Sequence, residues 1–283
     1  MWRRAALGRA QEDPAGSLVS RMPPLAMPID IAAPTGNLLL DALSAQDRAL
    51  ILPALEPVAY AKGATIFEAG DEVTHITFPG DQAVVALIVS TQDGRTAETA
   101  TIGHEGAVGA IVSQGRVPAS ASAMVQIGGP MLRLETDRLQ EAAGRSASLR
   151  DLFARYADCF LAQLLQTAAC NALHPIEQRC LRWLLTLQDR IGGDTLPITH
   201  ELLASMLGVQ RTYLTRILRV LQDQGLIRVG RGRITVLDRR AVSAAACECH
   251  ARVRVHCETV LGAIYEADDH DRHRTGRRSA AAQ

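Results

Sequence analysis

The hydrophobic period of this chain changes once, and that change sets what the chain can fold into. From Val58 to Leu134, short β-branched runs such as Ala83-Val84-Val85-Ala86-Leu87-Ile88-Val89 are cut every 8–12 residues by turn signals, among them Lys62-Gly63, Pro79-Gly80-Asp81, Asp93-Gly94 and Gly128-Gly129-Pro130. Regularly spaced short strands predict a compact antiparallel roll or barrel, though no stretch alternates strictly enough with period two to set a register. Beyond Gly144, Leu149, Phe153, Tyr156, Phe160 and Leu164 recur at helical spacing, followed by Thr167 and Ala168, until His174-Pro175 stops the pattern. A long helix therefore follows the roll. Its aromatic seam either packs on its own roll or lies between two protomers; a single helix joining two domains has few other ways to cover such a seam, which favours the second.

Ahead of the roll, Asn37–Leu55 reads as a helical lead-in, with Ser44 and Asp47 spaced like a capping box. Residues 1–36 hold Pro14, Pro23, Pro24, Pro28 and Pro34 but no apolar stretch of a secretory signal, so a disordered extension is expected, as it is for the tail 267–283. No apolar run approaches the roughly 18 residues of a spanning helix, so the expectation is an aqueous, cytoplasmic protein with no membrane partner. The six cysteines, at 159, 170, 180, 247, 249 and 257, lie in helix-like segments of a chain too long to need stapling, and read as reduced thiols.

After the long helix, Pro175 opens a helix whose apolar face is Ile176, Cys180, Trp183, Leu184 and Leu187 and which ends at Ile191-Gly192-Gly193. Thr199 can then cap a helix over His200–Leu207, and Gly208 supplies the left-handed residue that ends it. A second helix, Arg211–Gln224, follows after Gly208-Val209-Gln210. Its Leu214, Ile217, Leu218 and Leu221 fall on one face, and Arg211, Thr212, Thr215, Arg216 and Arg219 on the other. Gly225 ends it, and Leu226–Val229 and Arg233–Leu237, joined by Gly230-Arg231-Gly232, read as a two-stranded hairpin.

Charge separates the same two regions. Residues 37–150 carry eight Lys and Arg against thirteen Asp and Glu, while 175–240 carry eleven against six, net +5 within a chain whose overall charge is zero. A polyanion is the natural partner of the second region. A helix that reads duplex DNA must fit the roughly 12 Å major groove and present donors to base edges while a preceding helix braces it; arginine's fork suits guanine O6 and N7 together. The order helix, glycine turn, cationic helix, basic hairpin is that of a winged helix-turn-helix, with the arginine-bearing hairpin tip placed to meet phosphates.

Three phrases, Leu-Leu-Ala-Ser-Met-Leu-Gly-Val at 202–209, Arg-Thr-Tyr-Leu-Thr-Arg-Ile-Leu-Arg-Val-Leu at 211–221 and Asp-Gln-Gly-Leu-Ile at 223–227, resemble the DNA-binding domain of the Crp/Fnr superfamily of bacterial transcription regulators. Lys62–Asp71 resembles an early hairpin of that family's cyclic-nucleotide-binding roll. The resemblance covers about 37–240. It implies an α+β chain: a β-roll sensor domain (37–144), a dimerisation helix (145–174) and a winged helix-turn-helix (175–240); beyond the resemblance a C-terminal helix is expected over 241–266. The resemblance further implies a homodimer on a pseudo-palindromic DNA site, with RNA polymerase as a protein partner and a small-molecule effector. Arg211, Thr212, Thr215 and Arg216 would read bases, and Gln210, Arg219, Arg231 and Arg233 would hold phosphates.

Departures from the family pattern narrow the effector. Where cyclic-AMP-binding members resemble Gly-Glu-Leu followed by Arg-Ser-Ala or Arg-Thr-Ala, this chain has Val108-Gly109-Ala110-Ile111 and Pro118-Ala119-Ser120-Ala121. A phosphate buried there without its arginine would go largely unrepaid for its desolvation, so a degenerate pocket near Gly109, Ala110, Ala119 and Ser120 is expected, with no cyclic nucleotide. Residues 1–158 contain no cysteine to hold an iron–sulfur cluster. Thr212 stands where members reading a TGTGA-like half-site carry glutamate, which removes an acceptor for cytosine N4 and predicts an altered half-site.

Cys247-Glu248-Cys249-His250 and His256-Cys257 bring two metal-ligand types into eleven residues, but at no recognised zinc spacing, and the expectation is helix cysteines with neither metal nor cofactor. His75 and His104 read as solvent-facing loop residues. No nucleophile elbow, phosphate loop or paired-carboxylate cluster is present, so no catalytic residue can be nominated. The alternative to a DNA-binding regulator is a small-molecule or thiol-redox sensor whose main output is a protein contact.

Overall fold

The computed structural model describes residues 33–109 and 117–262. Two short helices, α1 (Leu38–Asp41) and α2 (Ala45–Ile51), lead into seven antiparallel strands: β1 (Glu56–Tyr60), β2 (Thr65–Phe67), β3 (His75–Pro79), β4 (Val84–Ser90), β5 (Thr96–Ile102), β6 (Ser122–Ile127) and β7 (Gly129–Glu135). They form two sheets, ordered β1-β7-β3 and β2-β6-β4-β5, that enclose Tyr60, Val85, Ile102, Ala123, Val125 and Met131. Gly128 carries the chain from one sheet to the other, and only glycine fits: a Cβ there would stand 2.7 Å from the Tyr60 carbonyl oxygen.

The register that the pattern withheld has a physical reason. In β4, Val85 and Leu87 point into the roll, while Val84, Ala86 and Ile88 join the core of the C-terminal module. A strand buried on both faces is apolar throughout and loses the period-two signal.

The helices α3 (Thr136–Arg145) and α4 (Ala147–Leu173) follow. The Ser44–Asp47 pair is a real cap: Ser44 Oγ accepts from Asp47 N at 3.1 Å, and the Asp47 carboxylate accepts from Ser44, Ser146 and Ser148, tying α2 to the N-cap of α4. The aromatic seam of α4 turns inward. Leu149, Phe153, Tyr156 and Cys159 are buried with α1, α2 and the roll; Phe153 meets Phe78 edge to face at 6.4 Å. Tyr156 Oη both donates to the Ala107 carbonyl and accepts from its N–H, at 3.0 Å each. The first part of the seam, Leu149, Phe153 and Tyr156, is therefore covered by the chain's own fold; Phe160 and Leu164 are half-buried, and the large apolar residues that α4 leaves exposed are Leu161 (51%), Leu165 (63%) and Leu173.

The C-terminal module comprises α5 (Ile176–Ile191), β8 (Thr195–Leu196), α6 (His200–Leu207), α7 (Arg211–Asp223), β9 (Ile227–Gly230) and β10 (Arg233–Val236). Its sheet has three strands, β8-β10-β9, rather than the two of the expected hairpin, because the two-residue β8 pairs with Ile234 and Thr235 across nearly forty residues and is too short to leave a pattern. Beyond it the chain forms two helices, α8 (Arg239–Ala245) and α9 (Cys249–Val260), where one was expected; Ala246 turns extended (ψ 166°) and the break lets α9 run back along α4. Of the extension expected over 1–36, residues 1–32 lie outside the described residues, as does the tail at 267–283, whereas 33–36 are described and held to α1 and α2: Thr35 N donates to Asp41 Oδ1 at 2.8 Å and Arg48 Nη2 to the Ala33 carbonyl at 2.5 Å.

Roll and C-terminal module share a packed contact, and a carboxylate is sealed in it. Glu98 of β5 accepts from Trp183 Nε1 (3.0 and 3.1 Å), from Gln126 Nε2 (2.6 Å) and from the Thr101 hydroxyl. Arg190 pairs with Glu105 at 2.7 Å and reaches the Thr101 carbonyl, and His104, half-buried rather than in solvent, bonds the Arg190 carbonyl oxygen at 3.1 Å. His75 is likewise half-buried, on β3.

Burial raises the Glu98 pKa above 4.5 against the opposing donors Thr101, Trp183 and Gln126 and the Arg182 charge. The folded chain thus holds this proton more tightly than the unfolded one, and stability falls as pH rises from about 4.5 towards the folded value. Glu98→Gln is expected to flatten that fall and to gain stability relative to wild type as pH approaches 7.5. Thermal unfolding at pH 4.5–7.5 checks it; parallel curves for the two proteins would contradict it.

Candidate nucleic-acid interface

The surface that can meet a duplex is built around α7. Thr199 Oγ1 accepts from Leu202 N at 3.1 Å and starts α6, and Gly208 ends it in the left-handed conformation (φ 68°). Arg179 reaches under the turn to the Leu207 carbonyl at 2.9 Å. The turn sets α7 so that Leu214, Ile217, Leu218 and Leu221 are buried against α5 and α6. Arg211, Thr212, Arg216 and Arg219 are exposed, as are Gln210 before the helix and Arg231 and Arg233 on the hairpin. Among the described residues none of these five arginines has an acidic partner. Uncompensated guanidiniums on one rigid face are what a phosphate backbone neutralises.

Two of the nominated residues differ from the rest. Gln210 occupies the N-cap of α7 without a side-chain bond to the helix, leaving its amide free for an outside acceptor. Thr215 is half-buried: its hydroxyl donates to the Arg211 carbonyl at 2.9 Å and faces His200 Nδ1 at 3.3 Å, so its methyl is the group left to face outward. Burial, followed by the Arg211 charge, lowers the His200 pKa and favours a neutral ring beside the arginine.

The sequence reading passed over Tyr213 and Arg228. Tyr213 is 44% exposed in the first turn of α7, and Arg228 is exposed on β9. The signal for Tyr213 was its place one residue before Leu214, off the apolar face, where a large aromatic has no core to enter.

Residues 178–245 match the family of Crp-like helix-turn-helix domains. The chain carries this domain on a Crp/Fnr fold. Its structure is similar to that of FixK2 from Bradyrhizobium japonicum, with 16% identity, 68% of this chain and 98% of that chain covered, and a TM-score of 0.59. It is also similar to CLP, a c-di-GMP-responsive global regulator from Xanthomonas campestris (17% identity, 69% and 100% covered, TM-score 0.57). A CRP-family transcriptional regulator from Thermus thermophilus aligns with 19% identity, 66% and 95% covered, and a TM-score of 0.56. No curated protein sequence matches. Among the described residues, no helix is long and apolar enough to cross a membrane.

In the roll, Gly109, Ala119 and Ser120 line one cavity, together with Val73, Leu87, Val108 and Phe160; Ala110 lies outside the described residues. The described lining offers a serine hydroxyl and backbone but no charged side chain.

Proposed function

We propose that the chain is a homodimeric transcription regulator that reads a specific, pseudo-palindromic DNA site. The observation that carries this is the exposed, acid-free cationic face of α7 with the basic hairpin beside it. Arg211, Thr212 and Arg216, with the Thr215 methyl, address base edges; Gln210, Arg219, Arg231 and Arg233 hold phosphates. Two copies joined along α4 would space half-sites about one helical turn, 10–10.5 base pairs, apart. The apolar lining of the roll cavity suits an uncharged effector better than a cyclic nucleotide. RNA polymerase is the protein partner this reading implies.

Selection of bound fragments from random duplexes tests the reading: an enriched sequence with twofold symmetry is expected, and absence of enrichment would overturn it. Within the enriched site, Arg211→Ala is expected to cost about 1–3 kcal/mol and relax one base position. Arg233→Ala should weaken all sequences alike and flatten the salt slope by about one unit. Titrations of both variants against the selected site and a scrambled duplex at several salt concentrations separate the two roles; equal losses on both duplexes for both variants would contradict the division.

A further inference from the structure

Helical spacing puts Cys170 and His174 one turn apart on one face at the end of α4. The break between α8 and α9 turns Cys247 and Cys249 onto that face. Cys170 Sγ lies 3.5 Å from Cys247 Sγ, and Cys249 Sγ lies 3.4 Å from His174 Nδ1. The four ligand atoms all fall within 4.8 Å of one another, with the cysteines buried and the histidine half-buried. A tetrahedron with metal–sulfur bonds of about 2.3 Å and metal–nitrogen bonds of about 2.0–2.1 Å has edges of roughly 3.8 Å between sulfurs and 3.5 Å from sulfur to nitrogen. Two of the observed edges, 3.5 and 3.4 Å, are close to that size, and the remaining ones, all within 4.8 Å, need close by no more than about 1 Å.

Its surroundings carry the second coordination layer that a metal site needs. His174 Nε2 stands 3.4 Å from the Glu248 carboxylate, a partner for a proton on Nε2 that would leave the Nδ1 lone pair for the metal. Gln166 Nε2 donates to Cys249 Sγ at 3.1 Å. Arg179 and Arg182 lie within electrostatic reach of Cys170, and the Nε of each is buried without a hydrogen-bond partner. Three thiolates around a divalent cation leave one net negative charge, which such guanidiniums offset. The other candidates from the sequence go elsewhere: His250 pairs with Asp189 at 2.7 Å, and His256 with Asp158 at 3.0 Å.

We propose that Cys170, His174, Cys247 and Cys249 form a tetrahedral Zn²⁺ site that clamps the α8–α9 turn to the end of the connecting helix. Three sulfurs and one imidazole select a soft, four-coordinate metal, and four protein ligands close the site, which makes it structural. On binding, each thiol gives its proton to solvent as its metal–sulfur bond forms, and no electron is transferred.

The full chain, purified under reducing conditions without an affinity metal, is expected to hold about one zinc per chain by elemental mass spectrometry. After mild chelation, added Co²⁺ should give the visible bands of a tetrahedral thiolate complex. Cys170→Ser and Cys249→Ser should each cut bound zinc at least about tenfold, while Cys159→Ser, a buried cysteine outside the cluster, should leave it unchanged. Folded wild type with less than about a tenth of a zinc and no tetrahedral Co²⁺ spectrum would overturn the site, as would full zinc retention in both cluster variants, the mark of an adventitious ion only. If the cluster variants do not fold, the wild-type cobalt spectrum and the fall in Tm on chelation decide alone.

Discussion

Glutamate at both Leu161 and Leu165 is expected to convert the proposed dimer to a monomer and to lower affinity for the two-half-site DNA by about 10²–10⁴-fold. Leu161, Leu165, Ala168 and Ala172 are all exposed and spaced four, three and four apart along α4, the repeat that lets two helices interlock. A carboxylate on each of the two leucines would have to be desolvated against its symmetry mate, a like-charge pair in an apolar seam. The loss on DNA follows from linkage: each monomer keeps its own α7, but the second half-site is no longer bound at the high effective concentration that tethering provides. Sedimentation and binding to a single half-site, measured together, check the result. Half-site affinity should be unchanged. A variant that stays dimeric, or that loses half-site binding as well, would contradict the assignment of this stripe.

Trp183→Ala is expected to destabilise the chain by about 3–5 kcal/mol, the range for emptying a well-packed aromatic site. Trp183 is only 2% exposed and lies in the cluster that joins β4 to α5, α6 and α7, so its removal opens a cavity where roll and C-terminal module meet. It also takes a donor from the buried Glu98 carboxylate, leaving Gln126 and Thr101 to satisfy it. Trp183→Phe isolates that second effect: most of the volume stays while the N–H goes, and a cost of about 1–3 kcal/mol is expected for the carboxylate left short of a donor. Urea unfolding of both variants measures the difference. A loss under about 1 kcal/mol for the alanine variant would mean that the tryptophan does not seal the contact.

Much of the C-terminal module was legible because its signals are local. Thr199 at a cap, Gly208 in a left-handed turn and four apolar residues on one side of α7 each act within a few positions, and each stands where the pattern put it. The roll was legible as a class through its turn signals, yet β4 hid its register by being buried on both faces. The α4 seam was legible as a helix but not as an orientation: Phe153 and Tyr156 could have faced a second copy or the chain's own roll, and only the position of Phe78 and Ala107 decided between them. The cysteine cluster failed differently. The pair at 247 and 249 was visible, but its partners at 170 and 174 stand more than seventy residues earlier, and without them the spacing meant nothing.

Local chemistry in the chain therefore determined which regions became strand-rich and which helical, where the capped helices α2 and α6 began, and that one helix would present arginines opposite leucines. Tertiary packing alone decided which face of α4 turned inward, that β8 would complete the third sheet, that Glu98 would be sealed beneath Trp183, and that four soft ligands from two distant segments would converge. The physical reason is range. Caps, turns and periodicity act over a few residues and are written in sequence order, whereas burial and ligand convergence depend on which surfaces meet after the chain has closed on itself.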